Sequence, residues 1–347
     1  NASGTAGVAN TGGGGGGGDW EGSGAAGGSG IVVVNYAAGG AALTINAGSG
    51  RVNITGNVGD VTTLTVNSSH ASSEISGVVS GAASLVNAGS GGLIMSAINT
   101  YTGTTNINAG TLSVTGALSN STAVTVASGA TYDVAANDTI ASLAGAGNVT
   151  LNSNTLTVGG STNTSYSGVL SGAGSLVKAG SATFTMSGAN TYTGATSVNA
   201  GTLSVTGGLS ESTAVTVASG ATYSVGVSDT IGSIAGAGSI NLNSYTLTVG
   251  DANNTTYSGV MSGTGALVKQ GDGALTMSGA NTYTGTTTIS AGQITIENDA
   301  PSFGTSGFSG AGKLVIQPAS TSFTAAYTFS KAISSLGSER CERVNLC

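Results

Sequence analysis

Short runs of alternating apolar and polar residues fill most of the chain. Examples are TLSV at 111–114, AVTV at 123–126, TYDV at 131–134 and SLVK at 175–178, and Gly, Asn, Ser or Ala separates such runs. Alternation over a few positions is typical of a strand with one buried face. The runs recur roughly every nine residues, and no window carries an amphipathic helical stripe with caps. The sequence therefore predicts an all-β protein built from about thirty short strands.

The pattern repeats at an interval of 91 residues. The string Asn-Thr-Tyr-Thr-Gly begins at Asn99, Asn190 and Asn281, and the segment TLSVTG at 111–116 returns at 202–207. A sandwich or barrel needs only about seven to eleven strands, fewer than this chain supplies. Stacked turns that each bury an inward face on their neighbours accommodate the larger number. The fold class predicted is therefore a parallel β-helix, or β-solenoid.

The repeat also predicts which side chains face the core. Val124 and Val126 lie in the same AVTV context as Val215 and Val217, 91 residues later. Because alternate residues of a strand point to opposite faces, we expect all four valines to point inward at equivalent places on different turns.

The block from Gly172 to Gly207 resembles the autotransporter passenger-associated strand repeat. A second block, Gly263–Ile296, resembles it as well, and a third, Gly81–Gly116, does so more loosely. Such repeats occur in large bacterial surface proteins, including adhesins related to filamentous haemagglutinin. The resemblance covers about residues 64–296 and implies a right-handed parallel β-helix with 91-residue super-repeats, exported from a diderm bacterium.

Changes in composition suggest four segments. Residues 1–30 are glycine-rich, residues 31–298 carry the β-helix repeats, residues 299–338 concentrate aromatic residues and proline, and residues 339–347 form a charged tail with two cysteines. We interpret residues 299–338 as divergent capping turns, since the terminal turns of a solenoid are atypical.

Charge and the lengths of the apolar stretches argue against nucleic acid and membranes as partners. The chain has 7 Lys and Arg against 14 Asp and Glu, and only 6% of its residues are charged. A basic stripe that would bind nucleic acid or anionic lipid is missing. No stretch reaches the roughly 20 apolar residues of a membrane-spanning helix, so we expect no membrane insertion of this chain. The first residue is Asn1, which fits a processed start, and we expect a secreted or cell-surface bacterial location.

The two ends suggest self-association. Ile31, Val32, Val33 and Val34 form an uncharged run of high β-propensity that pairs readily with an open strand edge. We interpret this run as an assembly strand, with Gly12–Gly18 as a flexible linker. The alternative is that it forms the first turn of its own rod. Cys341 and Cys347 leave three alternatives: a local disulfide, an intermolecular link, and a tail added to the natural chain.

The Asn-Thr-Tyr-Thr-Gly motif is interpreted as a repeated turn, because Asn and Gly favour turns. A ligand-binding row of tyrosines is the alternative, although tyrosines 91 residues apart lie several turns apart and do not stack directly. The residues that define the motif are Asn99, Tyr101, Asn190, Tyr192, Asn281 and Tyr283.

Candidate catalytic and metal-binding residues are few. His70 is the only histidine and lies in a polar SSHAS segment, which favours a solvated loop. Asp133 and Asp138 form the candidate carboxylate pair of a polysaccharide-acting β-helix, but Asp138 recurs as Asp229 whereas Asp133 becomes Ser224. This loss in the next copy favours turn chemistry over catalysis. We therefore predict no catalytic residue, no metal site and no cofactor.

Three functions compete at this stage. The first is an extracellular structural rod or fibre-forming subunit that assembles end to end by strand addition. The second is an adhesin, like an autotransporter passenger, that binds host or surface glycans. The third, less favoured, is a polysaccharide-acting enzyme. The sequence predicts a protein that is not an enzyme, with self-association or a glycan surface as its partner.

Overall fold

A computed structural model describes residues 40–297 and 307–316 of the 347-residue chain. The described residues form 34 β-strands and no helix, so this part of the chain contains no helix long and apolar enough to cross a membrane. The described residues divide into two compact units, with the boundary between Gly194 and Ala195.

Parallel strands on successive turns build two long faces in the first unit. Face 1 consists of β1 Ala42–Gly48, β3 Thr63–Ser68, β5 Ser84–Asn87, β7 Thr105–Ile107, β9 Ala123–Val126, β12 Ser142–Gly145, β15 Thr164–Tyr166 and β18 Thr183–Met186. Face 2 consists of β2 Asn53–Ile54, β4 Ser73–Ile75, β6 Gly92–Met95, β8 Thr111–Val114, β10 Thr131–Val134, β13 Asn148–Thr150 and β16 Leu170–Ser171.

Face 3 of the first unit is irregular at first and regular later. The bridges Val58–Val79 and Ile98–Ala117 mark its early turns. Its later turns contain β11 Asp138–Ile140, β14 Thr155–Val158 and β17 Ser175–Lys178. The cross-section therefore has three sides, with strands on two or three of them.

The second unit repeats this architecture with three stacks of parallel strands. The longest stack contains β19 Thr196–Val198, β21 Ala214–Val217, β24 Ser233–Gly236, β27 Thr255–Tyr257, β30 Ala274–Met277, β32 Gln293–Ile296 and β34 Lys313–Ile316. The other two contain β20 Thr202–Val205, β22 Thr222–Val225, β25 Ser239–Asn241 and β28 Met261–Ser262, and β23 Asp229–Ile231, β26 Thr246–Val249, β29 Ala266–Lys269, β31 Thr287–Ile289 and β33 Phe308–Ser309.

Like residues stack on like in the core. Leu43 pairs with Leu64, and Leu64 in turn pairs with Leu85, each 21 residues further on. Between paired strands of the described residues, one turn takes 17 to 21 residues. Leu64 and Leu85 are fully buried because alternation points them inward, and their outward neighbours stay half-exposed. The predicted all-β parallel β-helix is thus confirmed.

The inward valines are confirmed as well. Val124 and Val126 in β9, and Val215 and Val217 in β21, are all at most 1% exposed. Their neighbouring strands are also related by the repeat, since β7 and β12 flank β9 while β19 and β24 flank β21. Each pair of valines therefore lies in the same local packing.

The 91-residue repeat does not contain a whole number of turns. Four turns of about 20 residues make about 80, and five make about 100. Within the first unit β5 lies on face 1, but its counterpart β17 lies on face 3. Likewise β6 lies on face 2 and its counterpart β18 on face 1. One repeat thus advances the chain by about four and two-thirds turns, and corresponding residues face different directions.

The strand ladder continues beyond residue 298, into the segment that we interpret as divergent capping turns. β34 pairs in register with β32, from Gln293–Lys313 to Ile296–Ile316. The reason is local sequence: SGAGKLVI at 309–316 keeps the Gly-rich corner and the alternation of SGAGSLVK at 171–178. Capping by the rest of 299–338 lies outside the described residues and stays a prediction.

Glycines stack at one corner of the first unit, between face 1 and face 2. A Cβ added to Gly168 would lie 1.7 Å from the carbonyl oxygen of Gly147, and one added to Gly188 would lie 1.9 Å from that of Gly168. No side chain fits such distances, so the close stacking of turns here depends on glycine.

We predict that Gly168→Ala lowers the free energy of unfolding by about 3 kcal/mol, because the added methyl group forces adjacent turns apart. Gly159→Ala is the control, since its Cβ would meet its nearest neighbours only at 3.9 Å. Thermal or denaturant unfolding measures both variants. Equal, small effects of the two substitutions would show that the corner is not tightly packed.

Candidate functional site

The asparagine of each Asn-Thr-Tyr-Thr-Gly motif is bonded to a neighbouring turn. Asn99 Oδ1 accepts a hydrogen bond from the Val79 N–H at 2.9 Å, and its Nδ2 donates to the carbonyl oxygens of Ala97 (2.9 Å) and Ala117 (2.8 Å). Asn99 is 3% exposed. Its amide therefore takes the place of ladder hydrogen bonds where face 3 has no regular strand.

The other two copies repeat this contact. Asn190 Oδ1 accepts from the Leu170 N–H at 3.1 Å, and Asn281 Oδ1 accepts from the Met261 N–H at 2.8 Å. Both side chains are buried. The motif is therefore an asparagine that bonds the backbone of the preceding turn, within a segment without strand structure.

The motif tyrosines point into the core. Tyr101, Tyr192 and Tyr283 are at most 1% exposed. The Tyr101 hydroxyl lies 2.5 Å from Thr105 Oγ1, which lies 2.9 Å from Thr122 Oγ1. Burial raises the pKa of Tyr101 above its ordinary range and that of Tyr283 to about 12. In this structure none of the three rings is available to a ligand outside the fold.

Asp138 is buried at the start of β11. Its Oδ2 accepts a hydrogen bond from the Tyr132 hydroxyl at 2.5 Å, and its Oδ1 accepts from the N–H groups of Leu118 (3.1 Å) and Thr139 (2.9 Å). Burial raises the pKa of Asp138 to about 6. Asp138 is thus a carboxyl counterpart of the asparagines, bonding the backbone of the preceding turn.

Asp133 does not join Asp138 in a site. Asp133 faces outward from β10, where it accepts hydrogen bonds from Ser113 Oγ and Asn152 Nδ2, both at 2.7 Å. The two carboxyls therefore lie on opposite sides of the strand wall and cannot flank one bond of a substrate. His70 lies half-buried in a corner, where its Nδ1 accepts from the Ser72 N–H at 3.1 Å.

Two buried lysines were not anticipated from the sequence. Lys178 Nζ donates to the carbonyl oxygens of Ala179 (2.7 Å) and Gly180 (2.8 Å), and Lys269 Nζ donates to those of Gln270 and Gly271. Burial lowers the pKa of both. Their signal was the inward position of Lys in SLVK and ALVK, where alternation places a core residue.

Several predicted sites lie outside the described residues, namely Gly12–Gly18, Ile31–Val34, Cys341 and Cys347. Within residues 40–297 and 307–316, no group of three or more His, Cys, Asp and Glu side chains is placed to hold a metal ion.

Three loops related by the repeat, residues 68–72, 159–163 and 250–254, are here called the corner loops; the second and third each end in three consecutive exposed residues, whereas the first begins with the buried Ser68. The last two share a first Gly and a last Asn but differ at all three positions between, Gly-Ser-Thr against Asp-Ala-Asn. Their final asparagines bond the next turn, Asn163 Oδ1 to Thr183 N and Asn254 Oδ1 to Ala274 N, each at 2.8 Å. The final asparagine thus attaches each of these two loops to the next turn, whereas the three residues at the tip differ between them.

In the first unit the corner loops leave different corners. Residues 68–72 connect β3 on face 1 to β4 on face 2, whereas residues 159–163 connect β14 on face 3 to β15 on face 1. Corresponding loops therefore point in different directions.

A family model for the passenger-associated-transport repeat matches residues 85–114, 176–205 and 267–296. Each match begins in an SLV or ALV strand, encloses one Asn-Thr-Tyr-Thr-Gly motif and ends with the second strand after it. Three segments of the chain thus match the passenger-associated-transport repeat. The resemblance inferred from the sequence is thereby confirmed, and the buried asparagines and tyrosines lie inside the matched segments.

A curated relative supports the same assignment. Over 144 residues the chain is 37% identical to "Adhesin BmaC autotransporter" of Brucella suis biovar 1 (strain 1330). The aligned part is 40% of this chain and 4% of the relative, so the chain spans a small fraction of that protein's length. No solved structure matches the chain.

We predict that Asn99→Ala lowers the free energy of unfolding by about 1–3 kcal/mol, since it leaves the buried Val79 N–H without its acceptor. Asn106→Ala is the matched control, because Asn106 bonds only the exposed Thr104 side chain among the bonds described. Denaturant unfolding gives both values. A loss for Asn106→Ala as large as that for Asn99→Ala would contradict the role assigned to Asn99.

Asp138 predicts a stability that depends on pH. Its folded pKa of about 6 lies above the ordinary value of 3.8, so the folded chain binds more protons between these values. The free energy of unfolding should be highest below about pH 4 and fall by about 3 kcal/mol as pH rises through 6. Asp138→Asn should remove this part of the pH dependence of stability. Asp138→Ala should lower the free energy of unfolding at every pH, because it leaves the buried Tyr132 hydroxyl and Leu118 N–H without their acceptor. An unchanged pH profile in Asp138→Asn would refute the assignment.

Proposed function

We propose that the chain is an extracellular, non-catalytic passenger segment of a bacterial surface adhesin, and that its corner loops contact the target. The observation that carries this proposal is the division between buried and exposed polar residues. Asn99, Tyr101 and Asp138 form hydrogen bonds within the fold, whereas Ser161, Thr162 and Asn253 at the loop tips are exposed. The relative's name, an adhesin, agrees with this division.

The chemistry of the loop tips favours a polar, uncharged target such as a glycan. Hydroxyl and amide side chains donate and accept hydrogen bonds as sugar hydroxyls do. In the third corner loop Asn253 Nδ2 donates to Asp251 Oδ2 at 2.9 Å, which orders that tip. Because the two corner loops of the first unit point in different directions, they do not line one deep site, and each would make a separate weak contact.

The test is binding of the purified chain to a panel of immobilised glycans. We expect the combined variant Ser161→Gly, Thr162→Gly and Asn253→Gly to lose at least about tenfold in affinity, with unchanged circular dichroism and melting. The control is Thr125→Ala with Thr216→Ala, two exposed outward positions on strand faces.

If the loop variant binds like the unaltered chain while the control is impaired, the strand faces and not the loops form the contact. Failure of every form to bind any glycan would remove the glycan part of the proposal.

A structural rod or fibre subunit is the second candidate. The observation favouring it is a wall that is mostly Thr, Ser, Asn, Ala and Val on its outward side, as in β3, β9 and β14. Such a surface has little charge to oppose side-by-side packing. Electron microscopy of native material distinguishes the two: filaments with a regular axial repeat support the fibre, and isolated rods support the adhesin.

A further inference from the structure

One tyrosine of the second unit lies at the surface. Tyr245 is 38% exposed, whereas the other seven tyrosines among the described residues are at most 1% exposed. It lies in the corner between β25 and β26, next to the exposed Ser244. An exposed tyrosine offers a ligand both an apolar ring and a hydroxyl group. The ring of Tyr245 is therefore accessible to a molecule outside the fold.

The backbone of Tyr245 is held in place on two sides. Its N–H donates to the Leu242 carbonyl oxygen at 2.9 Å, and its own carbonyl oxygen accepts from the Ala266 N–H of the following turn at 3.1 Å. A Cβ added to Gly265 would lie 2.0 Å from that same oxygen, so the following turn packs directly on this residue. A ligand that binds the side chain therefore spends little binding energy on ordering the backbone beneath it.

Two exposed hydroxyl groups lie one turn before and one turn after the corner that carries Tyr245. Ser228 Oγ accepts from the Thr246 N–H at 3.1 Å, and Thr264 Oγ1 donates to the Asn243 carbonyl oxygen at 3.0 Å. Among the bonds described for these residues, Ser228 thus keeps its proton to donate and Thr264 keeps lone pairs to accept. Because turns stack at about 4.8 Å, the two hydroxyl groups span about 10 Å along the stack.

The surroundings of Tyr245 favour a neutral ligand. Within residues 195–297, Lys269 is the one Lys or Arg, and it is only 4% exposed. Its Nζ donates to backbone carbonyl oxygens. The whole chain has a net charge of −7 at pH 7. A carboxylate, sulfate or phosphate group on a ligand would therefore find no exposed cation in this part of the second unit.

The corresponding corner of the first unit lacks the ring and both hydroxyl groups. The side chain there serves the fold, because Asn154 Nδ2 donates to the Val134 carbonyl oxygen at 2.9 Å. The backbone turn is the same, since the Asn154 N–H donates to the Leu151 carbonyl oxygen at 2.8 Å. The three positions that differ are, 91 residues apart, Asn137 and Ser228, Asn154 and Tyr245, and Ala173 and Thr264.

We propose that Tyr245, Ser228 and Thr264 form a binding subsite for a neutral oligosaccharide. The C–H face of a pyranose ring packs against the Tyr245 ring, whose π face carries partial negative charge. Sugar hydroxyl groups accept from Ser228 and donate to Thr264. This inference rests on the proposed function in that the ligand is a glycan, and it adds a site outside the corner loops.

Proton NMR of soluble cellotetraose and chitotetraose tests the subsite. Sugar ring protons that stack on a tyrosine shift upfield when the unaltered chain is added. Tyr245→Asn gives the position its first-unit residue, and with unchanged circular dichroism it should bind at least about tenfold more weakly and lose the shift. Tyr245→Phe keeps the ring and should retain the shift. Undiminished binding by Tyr245→Asn, or no shift of either sugar with the unaltered chain, would overturn the proposal.

Transfer of the subsite to the first unit gives a second readout. Asn137→Ser, Asn154→Tyr and Ala173→Thr, combined with Tyr245→Asn, should restore the upfield shift on the equivalent backbone turn. A folded variant that fails to restore it would contradict the assignment to these three side chains. Tetragalacturonate is the acidic probe, and tighter binding of it than of cellotetraose would refute the preference for a neutral sugar.

The subsite and the proposed function fail in different ways. If the chain binds the immobilised glycans but Tyr245→Asn binds both tetrasaccharides as the unaltered chain does, the subsite is wrong and adhesion stands. If Tyr245→Asn abolishes a shift seen with the unaltered chain while no form binds the immobilised glycans, the subsite stands and adhesion through glycans falls.

Discussion

Backbone hydrogen bonds between successive turns are the interaction on which the structure depends. Each strand pairs only with the strands one turn before and one turn after it, so the turns must stack at the spacing of a β-sheet everywhere along their path. On the faces this spacing suits Val, Leu and Thr. At the corner lined by Gly147, Gly168 and Gly188 it excludes a Cβ altogether. Where the path leaves strand geometry, Asn99, Asn190 and Asn281 supply side-chain acceptors for backbone N–H groups, and Asp138 does the same at the start of β11.

This constraint explains why chemically active residue types have structural roles here. A buried carboxyl such as Asp138, or a buried amine such as Lys269, would suggest catalysis in many folds. In this solenoid the partners of Asp138 are backbone N–H groups and one tyrosine hydroxyl, and Lys269 bonds carbonyl oxygens just after its own strand. A buried polar group costs little stability when it is fully bonded, and the irregular sides of the turns need such bonds.

The sequence allowed much of the fold to be predicted but little of the site. Alternation in segments such as TLSV and AVTV was enough for the strands, and the 91-residue interval was enough for a solenoid. The face on which each copy lies could not be predicted, because turns vary between 17 and 21 residues and a single residue shifts the path. The burial and the hydrogen bonds of Asn99 and Tyr101 were also not predicted. Asn and Gly indicate a turn, but they do not show which neighbouring groups its side chains will bond. The burial of Lys178 and Lys269 could be recognised only once the inward-facing positions of their strands were known.

The mismatch between the repeat and the turn affects how such a chain changes in length. Recombination between similar copies would add or remove whole 91-residue repeats, and the strand ladder would survive because corresponding strands bury similar side chains. Within residues 40–194, however, the strand 91 residues after a strand on face 1 lies on face 3, and the strand 91 residues after one on face 2 lies on face 1. An allele with one extra copy would therefore present everything beyond the insertion about a third of a turn away from its former direction. Only a change of three copies would restore the original orientation. Variation in copy number thus alters both the reach of the molecule and the direction in which its distal surface points.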